Sequence, residues 1–111
     1  MTKTQHTAGP WECTYSPYTS QDGEEIPAFE IIGDEKICDT NENQPRDEQQ
    51  ANAWLIAGAP DLLDALEAQT DAAQAVVDAW ERGDLAAAVH ILEGCISPAR
   101  TVIAAARGGA Q

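Results

Sequence analysis

Hydrophobic positions along the chain change their spacing once: they alternate with polar residues up to residue 39 and recur in steps of three and four from residue 46 on. The first pattern predicts strands, the second helices. Trp11-Glu12-Cys13-Thr14-Tyr15 alternates apolar and polar and reads as a half-buried strand. Phe29-Glu30-Ile31-Ile32 and Lys36-Ile37-Cys38-Asp39 flank Gly33-Asp34-Glu35, a connection of hairpin length, and predict two antiparallel strands. Together the three make a small meander, about the smallest sheet that is stable once helix covers one face. Ser16 to Pro27 carries two prolines, Gly23 and the pair Glu24-Glu25, and reads as a mobile loop. Ahead of the first strand, His6-Thr7-Ala8-Gly9-Pro10-Trp11 joins a turn signal to a tryptophan expected to dock back on the core, with His6 bonded to local backbone.

The polar stretch Asp39 to Gln50, with Pro45 inside it, links sheet to helices. Arg46 or Asp47 through Ala57 predicts a first helix with Ala51, Leu55 and Ile56 facing inward. Gly58-Ala59-Pro60 ends it, glycine suiting a left-handed cap and proline the first turn of the next helix. The second helix carries an apolar stripe at Leu62, Leu66, Thr70, Ala73, Val77 and Trp80 and runs to about Arg82, with Gly83 as cap. Asp84 caps a third helix with its stripe at Leu85, Val89, Leu92 and Ile96. Ser97-Pro98 predicts either a kink or a restart that continues through Val102, Ile103 and Ala106, and the residues after Gly108-Gly109 are expected to fray.

With 111 residues the chain is expected to be a single domain over residues 1–111, its strand region at 11–39 and its helical region at 46–107. Alanine supplies much of the 43% hydrophobic content and aromatics only 5%, so a thin, helix-rich core is expected, helped by self-association. The alanine triplets at 86–88 and 104–106 permit close helix approach.

A net charge of -13, from 6 basic against 19 acidic residues, repels phosphate backbones and argues against direct nucleic-acid binding. No apolar run approaches the roughly 18 residues of a membrane span, no signal-peptide pattern opens the sequence, and three cysteines without C-x-x-C spacing fit a reducing cytoplasm. On one side of the second helix, Asp61, Asp64, Glu67, Asp71, Asp78 and Glu81 cluster away from Leu62, Leu66 and Trp80. That stripe is either an ordinary solvated face or a docking surface for a basic protein. Trp54, beside Leu55 and Ile56, is either an exposed binding anchor or a side chain packed over the sheet edge.

Catalytic signals are weak. Asp39-x-Asn41-x-Asn43 copies the start of a calcium loop but has Gln44 and Gln50 where a glycine and a bidentate glutamate belong, so no metal is expected. Cys13 or Cys38 with His6 supplies two of the three parts of a cysteine nucleophile, although strand cysteines are more often small core residues. His90 reads as a partly buried helix histidine rather than a ligand. The expectation is a protein that is not an enzyme and needs no cofactor.

His6-Thr7-Ala8-Gly9-Pro10-Trp11, and the longer run Ala51-Asn52-Ala53-Trp54-Leu55-Ile56-Ala57-Gly58-Ala59-Pro60-Asp61-Leu62-Leu63-Asp64-Ala65-Leu66, resemble the hallmark segments of a group of small bacteriophage and prophage proteins. The group's forms are His-Thr-Pro-Gly-Pro-Trp and Ala-Asn-Ala-Arg-Leu-Ile-Ala-Ala-Ala-Pro-Asp-Leu-Leu-Glu-Ala-Leu, so Ala8, Trp54, Gly58 and Asp64 are departures. The resemblance implies a phage origin and brings no catalytic residues. A tryptophan where the group has a polar residue implies an exposed, specialised Trp54.

The sequence therefore predicts an α+β domain: a small three-stranded antiparallel sheet packed against three or four following helices. Its expected function is that of a non-catalytic phage accessory protein that binds and inhibits a host protein complex with a basic surface, an anti-defence role of the anti-CRISPR kind. Trp54, Asp61, Asp64, Glu67, Asp71, Asp78 and Glu81 are the candidate partner-binding residues. The alternatives are a sponge for a signalling nucleotide, which needs a basic pocket, and a self-associating structural protein, with a homodimer as one form.

Overall fold

Five strands precede three helices, two strands more than the spacing predicts. In a computed structural model describing residues 6–108, these are β1 (Glu12–Tyr15), β2 (Tyr18–Thr19), β3 (Glu25–Ile26), β4 (Phe29–Ile32), β5 (Lys36–Asp39), α1 (Arg46–Ala57), α2 (Ala59–Glu81) and α3 (Leu85–Ala106). The fraying expected of the last residues lies outside the described residues. The main sheet has the order β1-β4-β5, antiparallel throughout, which is the predicted meander and makes the domain α+β. The 16–28 segment is more ordered than the expected loop. Tyr18↔Ile26 and Thr19↔Glu25 pair as a short hairpin, turned by Gly23 at φ 86°.

Alternation decides which face of the sheet is covered. Phe29 and Ile31 on β4 point to one side with Cys13 and Tyr15 of β1, and α1 lies over them with Ala53 and Ile56. Cys13 and Cys38 both stand opposite Ile31 in the ladder, so the two thiols flank the most buried side chain of the sheet. Trp11 docks on this core as expected, its Nε1 donating to the Thr7 carbonyl at 3.1 Å while His6 Nδ1 stands 2.9 Å from that same carbonyl oxygen.

The inward face of α1 differs from the prediction. Gln49, Ala53 and Ile56 point inward, while Ala51 and Leu55 are exposed. The rotation follows from Gln49, which the polar pattern assigns to the linker yet which is 0% exposed. Its amide is fully used: Nε2 donates to the carbonyls of Pro27 (3.1 Å) and Gln44 (2.9 Å), and Oε1 accepts from the Thr40 hydroxyl at 2.7 Å. Thr40 Oγ1 in turn accepts from Phe29 N–H at 3.1 Å. One buried glutamine thus ties linker, sheet edge and helix together, with every polar group satisfied.

Gly58 does separate α1 from α2, but not as a left-handed cap: its φ is -82° and ψ -3°. A glycine stands there because a Cβ would lie 3.1 Å from the Ala106 Cβ, so α3 returns directly onto the α1–α2 joint. Pro60 sits in the first turn of α2 as expected, and the N-terminal turn packs on it, leaving a Cβ on Gly9 only 3.1 Å from Pro60 Cβ. The two segments that carry the phage-protein resemblance therefore meet in space.

At the far end the predicted signals hold. Gly83 turns the chain at φ 76°, and Asp84 accepts from Ala87 N–H at 3.0 Å. The expected Ser97-Pro98 restart does not interrupt α3, which is one helix with Pro98 inside it. Proline's ring collides with the carbonyl four residues back, and here that residue is Gly94, which has no side chain to resist local adjustment. The result is a sheet with α1 at one end and a long helical hairpin projecting from it, 70 × 28 × 20 Å overall. No described helix is long and apolar enough to cross a membrane.

Candidate functional site

The α2–α3 hairpin is held together by small side chains. The buried or half-buried positions along α2 include Ala65, Ala72, Ala75, Val76 and Ala79, and along α3 Ala88, Ile91, Cys95, Ala99, Val102 and Ala106. Gln69 reaches across the seam, Nε2 donating to the Cys95 carbonyl at 2.7 Å. Alanine carries no rotamer entropy to lose and lets helix axes approach closely, so the seam closes with few large residues, Val76, Ile91 and Val102 among them.

Most of the predicted apolar stripe of each helix consequently lies outside the seam, with Leu62 half-buried at its edge. Leu66 is 64% exposed, Trp80 68% and Leu85 59%, and Val77, Val89, Leu92, Ile96 and Ile103 are also exposed. Hydrophobic periodicity weights large side chains, and the alanines beside them carried the contact instead. The two rows share one side of the hairpin. Each lies about 100° from its own seam in the same rotational sense, and because the helices run antiparallel those equal turns bring both rows to one face. Leu66 and Ile103 accordingly line a single groove between the helices. Leaving a large apolar side chain half in water forfeits about 1 kcal/mol, so the row as a whole is comparable with the ~5–15 kcal/mol that stabilises a domain.

The acidic residues take the opposite side. Asp61, Asp64, Glu67, Asp71, Asp78 and Glu81 are all exposed along one flank of α2, over about 30 Å of helix. Among the described residues the ion pairs are those of Lys36 with Glu30 and Asp39, so none of these six carboxylates has a cationic partner there. Asp78 accepts only from Gln74 Nε2, at 3.0 Å. Asp61 and Asp64 edge a second groove between α2 and α3, floored by Ala65, Ala68, Cys95 and Pro98.

Trp54 does not join that stripe. It is half-buried, with its indole so close over Gly108 that a Cβ there would lie 2.1 Å from the ring, and Gly108 follows the end of α3 with φ 81°. The indole packs on the returning C-terminal turn rather than standing free as a specialised anchor. The stripe runs from the base of the arm to its tip, so only its first residues, Asp61 and Asp64, begin near α1.

The chemical candidates resolve into structure. Burial pushes the Cys13 thiol up from its ordinary value, a backbone hydrogen bond opposing in part; that is the reverse of what a nucleophile requires. The calcium-like run is a capped polar turn in which Asn41 Oδ1 accepts from Asn43 N–H at 3.0 Å. Among the described residues no group of three or more metal-binding side chains converges. His90 is exposed rather than partly buried and lines a shallow groove with Leu85, Val89 and Glu93. The arginines stand apart: Arg46 lies 4.2 Å over the Tyr15 ring, Arg82 follows α2 at the tip, and Arg100 and Arg107 lie along the last part of α3.

What the sequence missed is the alanine seam and Gln49. The seam had a visible signal, since Ala65, Ala72 and Ala79 recur every seven residues, as do Ala99 and Ala106. Residues 1–110 match the family described as Salmonella phage P22 protein Y8K6. No curated protein and no solved structure matches the chain.

Proposed function

The chain belongs to the Salmonella phage P22 protein Y8K6 family, and from that premise we propose that it is a non-catalytic phage accessory protein that binds a basic host protein through the acidic flank of α2. One observation carries the reading: six carboxylates, Asp61 to Glu81, lie exposed along one side of a projecting helix without a cationic partner among the described residues. Carboxylates held in a row without neutralising partners raise a negative potential along the arm, which speeds encounter with a positive surface and fixes orientation on it. Inhibition of a host complex, as in an anti-defence protein, is the finer form of this reading, since a projecting acidic arm can occupy a basic groove that otherwise takes nucleic acid.

The nucleotide-sponge alternative has less support, because the described arginines do not converge and the groove beside Asp61 and Asp64 carries acid at its edge. The test is charge reversal. Asp64, Asp71 and Asp78 changed together to lysine, with helicity verified by circular dichroism, should abolish capture of a basic host protein from lysate and weaken its affinity at least tenfold. Unchanged affinity would remove the acidic flank from the account.

A further inference from the structure

We propose that the exposed apolar face of the α2–α3 hairpin is covered by a second copy of this chain, packed antiparallel to form a four-helix bundle with a sheet at each end. This rests on a face other than the acidic flank and does not depend on host binding.

Size is the first argument. The two rows extend over about 21 Å of α2 and about 27 Å of α3 and are about two helix diameters wide, a footprint on the order of 500 Å². That is in the upper part of the range for the largest apolar patch on an ordinary monomer, roughly 300–600 Å², and two copies together bury about the 1,000 Å² that a specific interface requires. A hairpin sealed mainly by alanines, with Val76, Ile91 and Val102 among them, buries little large apolar surface of its own, and α2 and α3 meet no element besides each other and α1. A cover needed for the arm itself must be present whenever the chain is, and the copy is the partner that always satisfies this.

Spacing is the second argument, and it selects the direction. On α2 the outward positions Leu66, Ala73 and Trp80 are placed symmetrically about Ala73. On α3, Leu85 and Ile103, and likewise Leu92 and Ile96, are placed symmetrically about residue 94. A two-fold axis perpendicular to the helices and lying in the interface sets each helix antiparallel on its own copy. Leu66 then meets Trp80 of the second copy, the small Ala73 meets its equivalent, and Leu92 meets Ile96. The Gln69–Cys95 hydrogen bond sets the relative height of the helices, and it brings the two centres of symmetry level to within about one turn. A single axis midway between the two centres serves both helices, with facing residues displaced along the helices from these pairings by a little under one turn. The acidic flanks of both copies remain on the outside, where their repulsion is screened by water and salt.

Light scattering on the full chain should give twice the 11.9 kDa mass at micromolar concentration. Trp80 emission should move to longer wavelength on dilution as its cover is lost. Ala73→Glu and Leu92→Glu place a charge at the centre of the face, at positions where an isolated hairpin tolerates glutamate on its surface. Each should return a one-copy mass with helical circular dichroism retained, whereas Ser97→Glu, away from the apolar row, should not. Ala73→Cys should be joined to its own copy by a short bismaleimide, over the background of the native thiols measured on the unaltered chain. A one-copy mass for the native chain at every concentration would overturn the proposal, as would a two-copy mass that survives both glutamate variants. Linking of Ser97→Cys but not Ala73→Cys would overturn the assigned face.

Discussion

Gly58 and Ala106 touch where the chain turns from α1 into α2 and where α3 comes home: a methyl group on Gly58 would stand 3.1 Å from the Ala106 Cβ and 3.3 Å from its Cα. The second contact is with backbone, which cannot rotate away. Gly58→Ala gains something from a stiffer unfolded chain, about 0.4–1 kcal/mol, because the glycine already has helical angles. Overpacking at this joint costs about 1–3 kcal/mol and should win, lowering Tm by a few degrees. The pair acts together, so Gly58→Ala with Ala106→Gly should recover most of the loss in a double-mutant cycle. Additive losses would show that the contact does not set the joint.

Gln49 makes the sharpest packing prediction. Replacing it with leucine keeps the volume but strands the Pro27 and Gln44 carbonyls and leaves the Thr40 hydroxyl without its acceptor. Stranded buried polar groups cost about 1–3 kcal/mol each, and since the Thr40 hydroxyl can turn to the Phe29 carbonyl, the two stranded carbonyls set the loss for Gln49→Leu at roughly 2–4 kcal/mol in a denaturant titration. Amide exchange should accelerate first at Phe29 and Thr40, whose backbone N–H groups depend on this network.

These two residues mark what could be read in advance. The change from alternating to helical spacing placed all three main strands and all three helices, because period reports which side of an element is apolar. Gly83 and Asp84 were equally legible, since turn and cap chemistry are local. Gln49 was not, because a polar residue inside a polar run gives no sign that a pocket of carbonyls awaits it. The apolar stripes were identified correctly as stripes, but they do not form the seam between α2 and α3. Alanine is too small to dominate a hydrophobic pattern, yet it formed the seam and left Leu66, Val77, Trp80 and Leu85 outside. The six acidic positions are on one flank as the periodicity required, whereas Trp54 is turned onto Gly108 by a contact between residues 54 apart in sequence, which no local pattern encodes.

Gly108 should tolerate no side chain. Its φ of 81° strains any L-residue, and a Cβ would overlap the Trp54 indole. Gly108→Ala should cost about 1–3 kcal/mol and expel the indole, moving Trp54 emission to longer wavelength. Gly109→Ala is the matched substitution next in sequence for comparison, and equal effects would show that the Trp54 contact is not responsible.

The Cys13 thiol is raised above its ordinary value of 9.0 by burial. For a group whose folded pKa exceeds its unfolded pKa, the stabilisation is present below the unfolded value and is lost as pH rises through the folded one. Stability should therefore hold to about pH 9 and decline above it, and Cys13→Ala should flatten the decline. At pH 8 iodoacetamide should modify Cys13 more slowly in the folded chain than in the urea-unfolded chain, as read by peptide mass spectrometry. Equal rates would mean the thiol is not protected.

Pro98 offers a stabilising substitution. It lies inside α3, four residues after Gly94, so the Gly94 carbonyl has no helical N–H donor at that position. Proline in a helix interior costs about 3 kcal/mol relative to alanine, reduced here because Gly94 lets the local backbone adjust and because exposure allows water to reach the carbonyl. Pro98→Ala supplies the missing N–H and should raise stability by about 1–2 kcal/mol, or several degrees in Tm. If Pro98 instead sets a bend that α3 needs to follow α2, straightening the helix would part the seam at Ala99 and Val102 and the substitution would lower Tm. The sign of that single shift separates a tolerated defect from a bend that shapes the arm.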